Sequence, residues 1–162
     1  MDDGHTQLTF AQLHAAVVQH ADTLIQQHAP ATVFVNDQLT IIEQMVSFMG
    51  IIHSGRCAAV SDPDWPSTVR DSVQRELGTA LTKPSHTHTA TPTSPFYIGF
   101  TSGSTGVPKG FRRHHLSWTE SLRVCLDTFG PDAASCVMAP GRFSHSLFLF
   151  GMVLGLWSGA GV

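Results

Sequence analysis

Residues 99–110 of this 162-residue chain read GFTSGSTGVPKG. Within them, Ser102-Gly103-Ser104-Thr105-Gly106 offers three hydroxyls and five backbone N–H groups over five residues. Glycine tolerates positive φ, so successive N–H groups can turn inward and form a concavity that holds an anion. Pro108 stiffens the exit, and Lys109, one of only two lysines in the chain, brings a point charge of the kind phosphate oxygens attract. A flexible Ser/Gly linker is the competing reading. A linker has no need of apolar segments on both sides, yet FYIGF precedes the stretch and GF follows it. The common G-x-x-x-x-G-K-[ST] nucleotide loop is excluded, because Val107 and Pro108 separate Gly106 from Lys109 and Gly110 stands where a hydroxyl residue is required.

On either side of this stretch, helical and strand-like segments alternate. Leu8, Leu13, Val17, Leu24 and Ile25 fall near helical spacing, with Thr9 as N-cap of a helix starting at Phe10 and Pro30 closing it. TVFVN (32–36) reads as a short buried strand. QLTIIEQMVSFMGIIHSG (38–55) reads as a helix apolar around most of its circumference, stopped at Gly55. A strand in RCAAVSDPDWP (56–66) and a more polar helix in STVRDSVQREL (67–77), ending at Gly78, come next. TALTKP (79–84) is expected as a short strand, and residues 85–95, rich in Ser, Thr, Pro and His, as a linker. FYIGF and GFRRHH are strands joined by the opening loop. SWTESLRVCLDTF is a helix with Ser117 as N-cap and Glu120 completing a capping box. SCVMAP is one more strand, and HSLFLFGMVLGLWSGAGV an apolar helix running to the chain end. The alternation predicts an α/β fold, with helices layered on a mostly parallel sheet.

Composition narrows the function classes. Apolar residues make up 42% and charged residues 13% of the chain, and the net charge is −3. The only basic cluster is Arg112-Arg113-His114-His115, too small to track a nucleic-acid backbone. His114 and His115 are expected as solvated strand-end residues. The ten histidines are scattered, and the close pairs (His86/His88 and His114/His115) lack the neighbours that complete a metal site. Cys57, Cys125 and Cys136 lie in apolar segments at no metal-like spacing and are expected to be buried, reduced thiols. Leu147–Leu156 is too short to span a membrane, and the acidic opening MDDGHTQLTF is unlike a signal peptide, so the expected setting is cytoplasmic.

Tyr97 and Thr101–Gly110 resemble the phosphate-loop signature of the adenylate-forming (AMP-binding) enzymes, which include acyl-CoA synthetases, peptide-synthetase adenylation domains and luciferases. That signature is an aromatic, a few apolar residues and T-S-G-S-T-G-x-P-K-G, and YIGFTSGSTGVPKG matches it at every fixed position. LTFAQLHAAVVQHADTL, GIIHSGRCAAVSDPDWP and APGRFSHSLFLFGMVLGL are similar, in the same order, to the family's opening segment, its following small-residue segment and the segment that carries a Pro and then a His or aromatic residue before an apolar helix. The Ser-His-Ser-Leu run leans toward acyl-CoA synthetases. The resemblance implies that residues 1–162 are the N-terminal part of an AMP-binding domain, with the C-terminal part and small lid domain absent. It implies that Thr101, Ser102, Gly103, Ser104, Thr105, Gly106 and Lys109 contact the ATP phosphates and that His145 lies near the acyl pocket. The implied reaction joins a carboxylic acid to ATP, giving acyl-adenylate and pyrophosphate, then passes the acyl group to CoA or a carrier-protein thiol. The Mg2+ ligand and the catalytic residues of the family belong to segments beyond position 162, so no catalytic residue is assigned here. As an isolated piece the chain is expected not to turn over. The alternative is a non-catalytic remnant that binds nucleotide or serves as an interaction module.

Overall fold

Thr9 and Thr40 open the first two helices with the same device. The Thr9 hydroxyl oxygen accepts from the Gln12 N–H at 3.2 Å, while the Thr9 N–H donates to Gln12 Oε1 at 2.9 Å. This reciprocal cap satisfies two donors that a helix start leaves orphaned. It begins α1 (Phe10–Gln26), as the sequence predicts. Thr40 and Glu43 repeat the arrangement at the start of α2 (Ile41–His53). The computed structural model describes residues 1–80, 90–101, 108–130 and 136–162. Leu13, Val17, Ala21 and Leu24 form the buried stripe of α1, with Ile25 left exposed. Gly55 stops α2 in a left-handed turn at φ +78°, a conformation a side chain would strain.

Four strands form one sheet in the order β1 (Thr32–Phe34), β2 (Cys57–Ala59), β3 (Pro95–Thr101) and β4 (Lys109–His114). The first three are parallel, and β4 returns antiparallel to β3. Helices α3 (Ser67–Ala80), α4 (His115–Phe129) and α5 (Ser146–Ser158) complete the chain. The architecture is the expected α/β one, with helices layered on a mostly parallel sheet. Successive residues of β2 and its exit serve opposite faces: Ala58 and Val60 join the large core, while Cys57 and Ala59 join a smaller one with Ile98, Phe34, Leu77 and Phe100. The large core gathers α1, α2, α4 and α5 around Phe48, Met45, Tyr97 and Leu149, each essentially inaccessible to solvent.

Several local expectations are corrected. The third helix does not stop at Gly78; α3 continues through Ala80, so Thr79 and Ala80 are helical rather than the start of a strand, and residues 81–84 lie outside the described residues. A glycine costs a helix about 1 kcal/mol but does not bar it. SCVMAP forms no strand among the described residues. It contributes one parallel bridge, Cys136 to Gly161, with the Val137 N–H donating to the Gly161 carbonyl at 2.8 Å before Pro140 intervenes. The last helix ends at Ser158, because Gly159 adopts φ +76°.

Ser117 is not the N-cap of α4. Strand β4 runs directly into the helix, so its last residue, His114, caps it: His114 Nδ1 accepts from the Ser117 N–H at 3.2 Å. Glu120 instead pairs with Arg123 at 2.7 Å. His115 is not solvated but stacks on Phe96, ring centroids 5.0 Å apart, and burial, with His114 adding to it, pushes its pKa down. Of the cysteines only Cys57 is buried, which pushes its thiol up to about 12; Cys125 is half-buried, for α4 buries only Trp118 and Leu122, and Cys136 is exposed. Residues 90–94 form a turn in which the Thr91 and Ser94 hydroxyls lie 2.9 Å apart and the Pro92 carbonyl accepts from the Leu116 N–H at 2.8 Å. His86 and His88 lie outside the described residues.

Candidate functional site

The two ends of the hydroxyl-rich stretch face each other across the hairpin. Thr101 is the last residue of β3 and pairs with Lys109, the first of β4. The Thr101 hydroxyl donates to the Lys109 carbonyl at 3.4 Å, and both residues are exposed. Ser102, Gly103, Ser104, Thr105 and Gly106 lie outside the described residues. The hairpin mouth stands at the carboxyl ends of the parallel strands, where the peptide carbonyls run out and open α/β sheets bind their ligands.

A cavity of about 260 Å³ opens beside Thr101. Val60 and Asp62 line it from beyond β2, Phe100 and Thr101 from β3, and Ser144 and His145 from the entry to α5, with Trp65 stacked edge-on against Phe100 at 4.9 Å. His145 occupies the N-cap position of α5, yet its side chain makes no capping bond. Its carbonyl accepts the first helical hydrogen bond, from the Leu149 N–H at 3.1 Å. The imidazole is therefore not consumed by the helix start.

Charged groups tie the walls of this cavity together. Arg142 pairs with Asp64 and lies 3.9 Å from Asp62, and the Ser144 hydroxyl donates to Asp62 at 3.3 Å. On the other side of the turn, Arg70 of α3 pairs with Asp37 at 2.7 Å and donates to the Pro63 carbonyl at 3.2 Å. The Ser61 hydroxyl donates to Asp37 at 3.3 Å. A continuous set of contacts thus runs from the exit of β1, through the turn after β2, to the entry of α5. Burial alone would raise the Asp37 pKa; hydrogen bonds from Gln38, Arg70 and Ser61 and the charge of Arg70 outweigh it and hold the carboxyl below its ordinary value. A depressed carboxylate stabilises the fold above its unfolded pKa, and that contribution fades as pH falls through the folded value. Arg70→Met is expected to cost about 1–2 kcal/mol at pH 7, between a surface and a buried pair, and to flatten the acid limb of the stability profile. Urea denaturation across pH 3 to 7 checks both effects.

A second cavity, of about 220 Å³, lies between β3, β4 and the starts of α4 and α5. Tyr97, Phe111, Trp118 and Phe150 form its aromatic walls, with Arg113, Ser146 and Leu147 completing the lining. The Arg113 guanidinium sits 5.4 Å above the Phe111 ring. The Tyr97 hydroxyl is buried and has no hydrogen-bond partner among the described residues; burial pushes its pKa up to about 12, against the opposing charge of Arg113. Sequence reading does not single out this second group. The available signal was Phe111 and Arg113 two apart on a strand, and Leu147 and Phe150 three apart on a helix, each pair sharing one face.

Known proteins match both the sequence and the fold. The model of the AMP-binding enzyme family matches residues 68–162. The uncharacterized acyl-CoA ligase YhfT of Bacillus subtilis is 38% identical over 103 residues, covering 64% of this chain and 21% of YhfT. The structure of a fatty acyl-adenylate ligase from L. pneumophila, in complex with acyl adenylate and pyrophosphate, superposes with a TM-score of 0.77 at 16% identity, covering 100% of this chain and 35% of that one. O-succinylbenzoate coenzyme A synthetase of Bacillus subtilis, in complex with ATP and magnesium ion, gives a TM-score of 0.71 at 15% identity, covering 97% of this chain and 50% of that one. The chain therefore spans half or less of each of these proteins. With the hairpin mouth, the parallel sheet and residues 68–162 all in agreement, this chain belongs to the AMP-binding enzyme family.

Proposed function

We propose that the chain supplies the polyphosphate-holding hairpin and part of the acyl pocket of an ATP-dependent, acyl-CoA synthetase-like ligase. The observation that carries this reading is the pairing of Thr101 with Lys109 at the carboxyl ends of parallel strands, directly beside a cavity, in a member of the AMP-binding family. Residues 1–162 then form the N-terminal part of the domain, and full turnover requires the remaining family segments, supplied in the same chain or by a partner.

In this reading Thr101, Ser102, Gly103, Ser104, Thr105 and Gly106 donate to the β- and γ-phosphates, and Lys109 screens their charge. The substrate carboxylate attacks the α-phosphorus, the bond to the pyrophosphate oxygen breaks, and an acyl-adenylate forms. A thiol, of CoA or a carrier protein, then displaces AMP. The chain's contribution is positioning and charge stabilisation rather than covalent chemistry. His145, free of a capping bond, lines the cavity beside Thr101 and orients the carboxylate end of the substrate. The second cavity, aromatic on most sides, receives the acyl portion. Among the described residues no three His, Cys, Asp or Glu stand together to hold a metal ion. Also among the described residues, no helix is long and apolar enough to cross a membrane. The three free thiols fit a reducing compartment, which we take to be the cytoplasm.

Lys109→Ala is expected to weaken ATP binding about tenfold, the order of one charge-assisted contact. Calorimetry on the 162-residue chain measures it, and an unchanged affinity would remove the hairpin from the site. The exposed Phe129, Met138, Leu147 and Trp157 favour a second reading, a nucleotide-binding module whose role is interaction alone. Pyrophosphate release after adding the remaining family segments in trans, with ATP, CoA and a panel of carboxylic acids, would exclude that module.

A further inference from the structure

Strand β4 passes into α4 without a connecting residue, so the N–H groups of the first three helical residues must be satisfied from outside the helix. Two meet fixed carbonyls: His115 donates to Ser94 at 3.3 Å and Leu116 to Pro92 at 2.8 Å. The third, of Ser117, meets the His114 Nδ1 at 3.2 Å. A backbone N–H can only donate, so this nitrogen carries a lone pair and the ring is the neutral tautomer with its proton on Nε2. A second proton would land on the accepting nitrogen itself. It would turn the cap into two opposed donors and place a cation at the positive end of the helix. Next along the chain, His115 is half-buried and stacks on Phe96 at 5.0 Å, and burial, with the charge of His114 adding to it, pushes its pKa down. Among the described residues, no free carboxylate faces either ring. Residues 90–96, the rest of β3, the first turn of α4 and the whole of α5 contain none, β4 brings only Arg112 and Arg113, and Glu120 is engaged with Arg123 at 2.7 Å.

We propose that His114 and His115 form a proton-sensitive joint between the hairpin and α4. Neutral, the pair holds the first turn of α4 against residues 92–96; protonated, it releases the Ser117 N–H and loosens that turn. The change reaches the second cavity. Trp118 stands one turn into α4, packs against Phe96 and Tyr97 at 5.2 and 5.4 Å, and forms part of that cavity's wall. The sign follows from the burial of His115. A fold that disfavours its proton is stabilised above the unfolded pKa, and that contribution fades as pH falls through the lower, folded value. Imidazole is the side chain that ordinarily titrates between about pH 5 and 8, so the joint responds to mild acid.

The test is an NMR titration of the 162-residue chain between about pH 7.5 and about pH 5, beside a His114→Asn variant and a His114→Asn/His115→Phe double variant. At the upper pH the His114 ring is expected to carry its proton on Nε2, with Nδ1 bare. Across the titration the Ser117 amide should lose about fivefold of its protection against hydrogen exchange, relative to the unstructured rate at each pH, as befits a cap of ordinary strength. The Trp118 indole signal should move with it. Asparagine caps a helix with an oxygen that does not titrate in this range, so His114→Asn should hold the Ser117 protection level. His115→Phe keeps an aromatic ring on Phe96. The wild-type melting temperature should therefore fall ~2–4 °C further between the two pH values than that of the double variant. A proton on Nδ1 at the upper pH, or wild-type Ser117 protection that does not change, would overturn the joint, and neither reading depends on a variant folding. An equal acid loss in the wild type and the double variant would also overturn it, by assigning the loss to other histidines.

Discussion

Phe48→Ala is expected to destabilise the fold by about 4 kcal/mol. Phe48 is inaccessible to solvent and meets Phe96, Tyr97 and Phe143 edge-to-face, at centroid distances of 6.4, 6.0 and 6.1 Å. It thereby joins α2 to β3 and to the segment that leads into α5. Truncation loses the burial of a large apolar group and the aromatic contacts, and leaves a cavity that three separate elements would have to close together. Urea unfolding should show the midpoint fall with little change in slope. Phe48→Leu, which refills most of the volume, should recover more than half of the loss. A penalty below about 1 kcal/mol for the alanine variant would mean that these three elements do not share one packed centre.

Gly99→Ala is expected to be nearly as costly, at about 3 kcal/mol, though it adds only a methyl group. The space a side chain would take at Gly99 is already filled from both strands of the hairpin. A Cβ there would stand 2.5 Å from Phe111 Cζ and 2.8 Å from Tyr97 Cζ, with the Tyr97 hydroxyl closer still. Tyr97 is hemmed in by Phe48 and Trp118 and cannot give way cheaply, so the overlap falls on the ring of Phe111, which borders the second cavity. Pairing the change with Phe111→Leu should restore part of the loss, giving a coupling energy of the sign that relieved overlap requires. Additive behaviour in that double-mutant cycle would place the strain elsewhere.

What the sequence disclosed, and what it withheld, follows from the range of the interactions involved. Thr9 with Gln12 is a local pattern, and so are the apolar spacing of α1 and the glycine stop at Gly55; each needs only neighbours in the chain, and each is found. Ser117 and Glu120 satisfy a local capping rule that His114 overrides, because β4 leads straight into α4. SCVMAP has strand-like composition, but a strand also needs an edge to pair with, and only Gly161 offers one among the described residues. The same holds for the site. Thr101, Lys109 and His145 stand out in the sequence through the motif that contains them. Arg142 meets Asp64 from 78 residues away, and Tyr97, Trp118 and Phe150 meet only through packing. No pattern confined to a short window encodes those meetings.

The ladder between β3 and β4 reaches its last rung at Thr101 and Lys109. The entropy of closing the connection between those two anchors grows only slowly with its length. A short insertion between them is therefore expected to cost the hairpin little stability, which leaves room for the connection to vary with what it must bind.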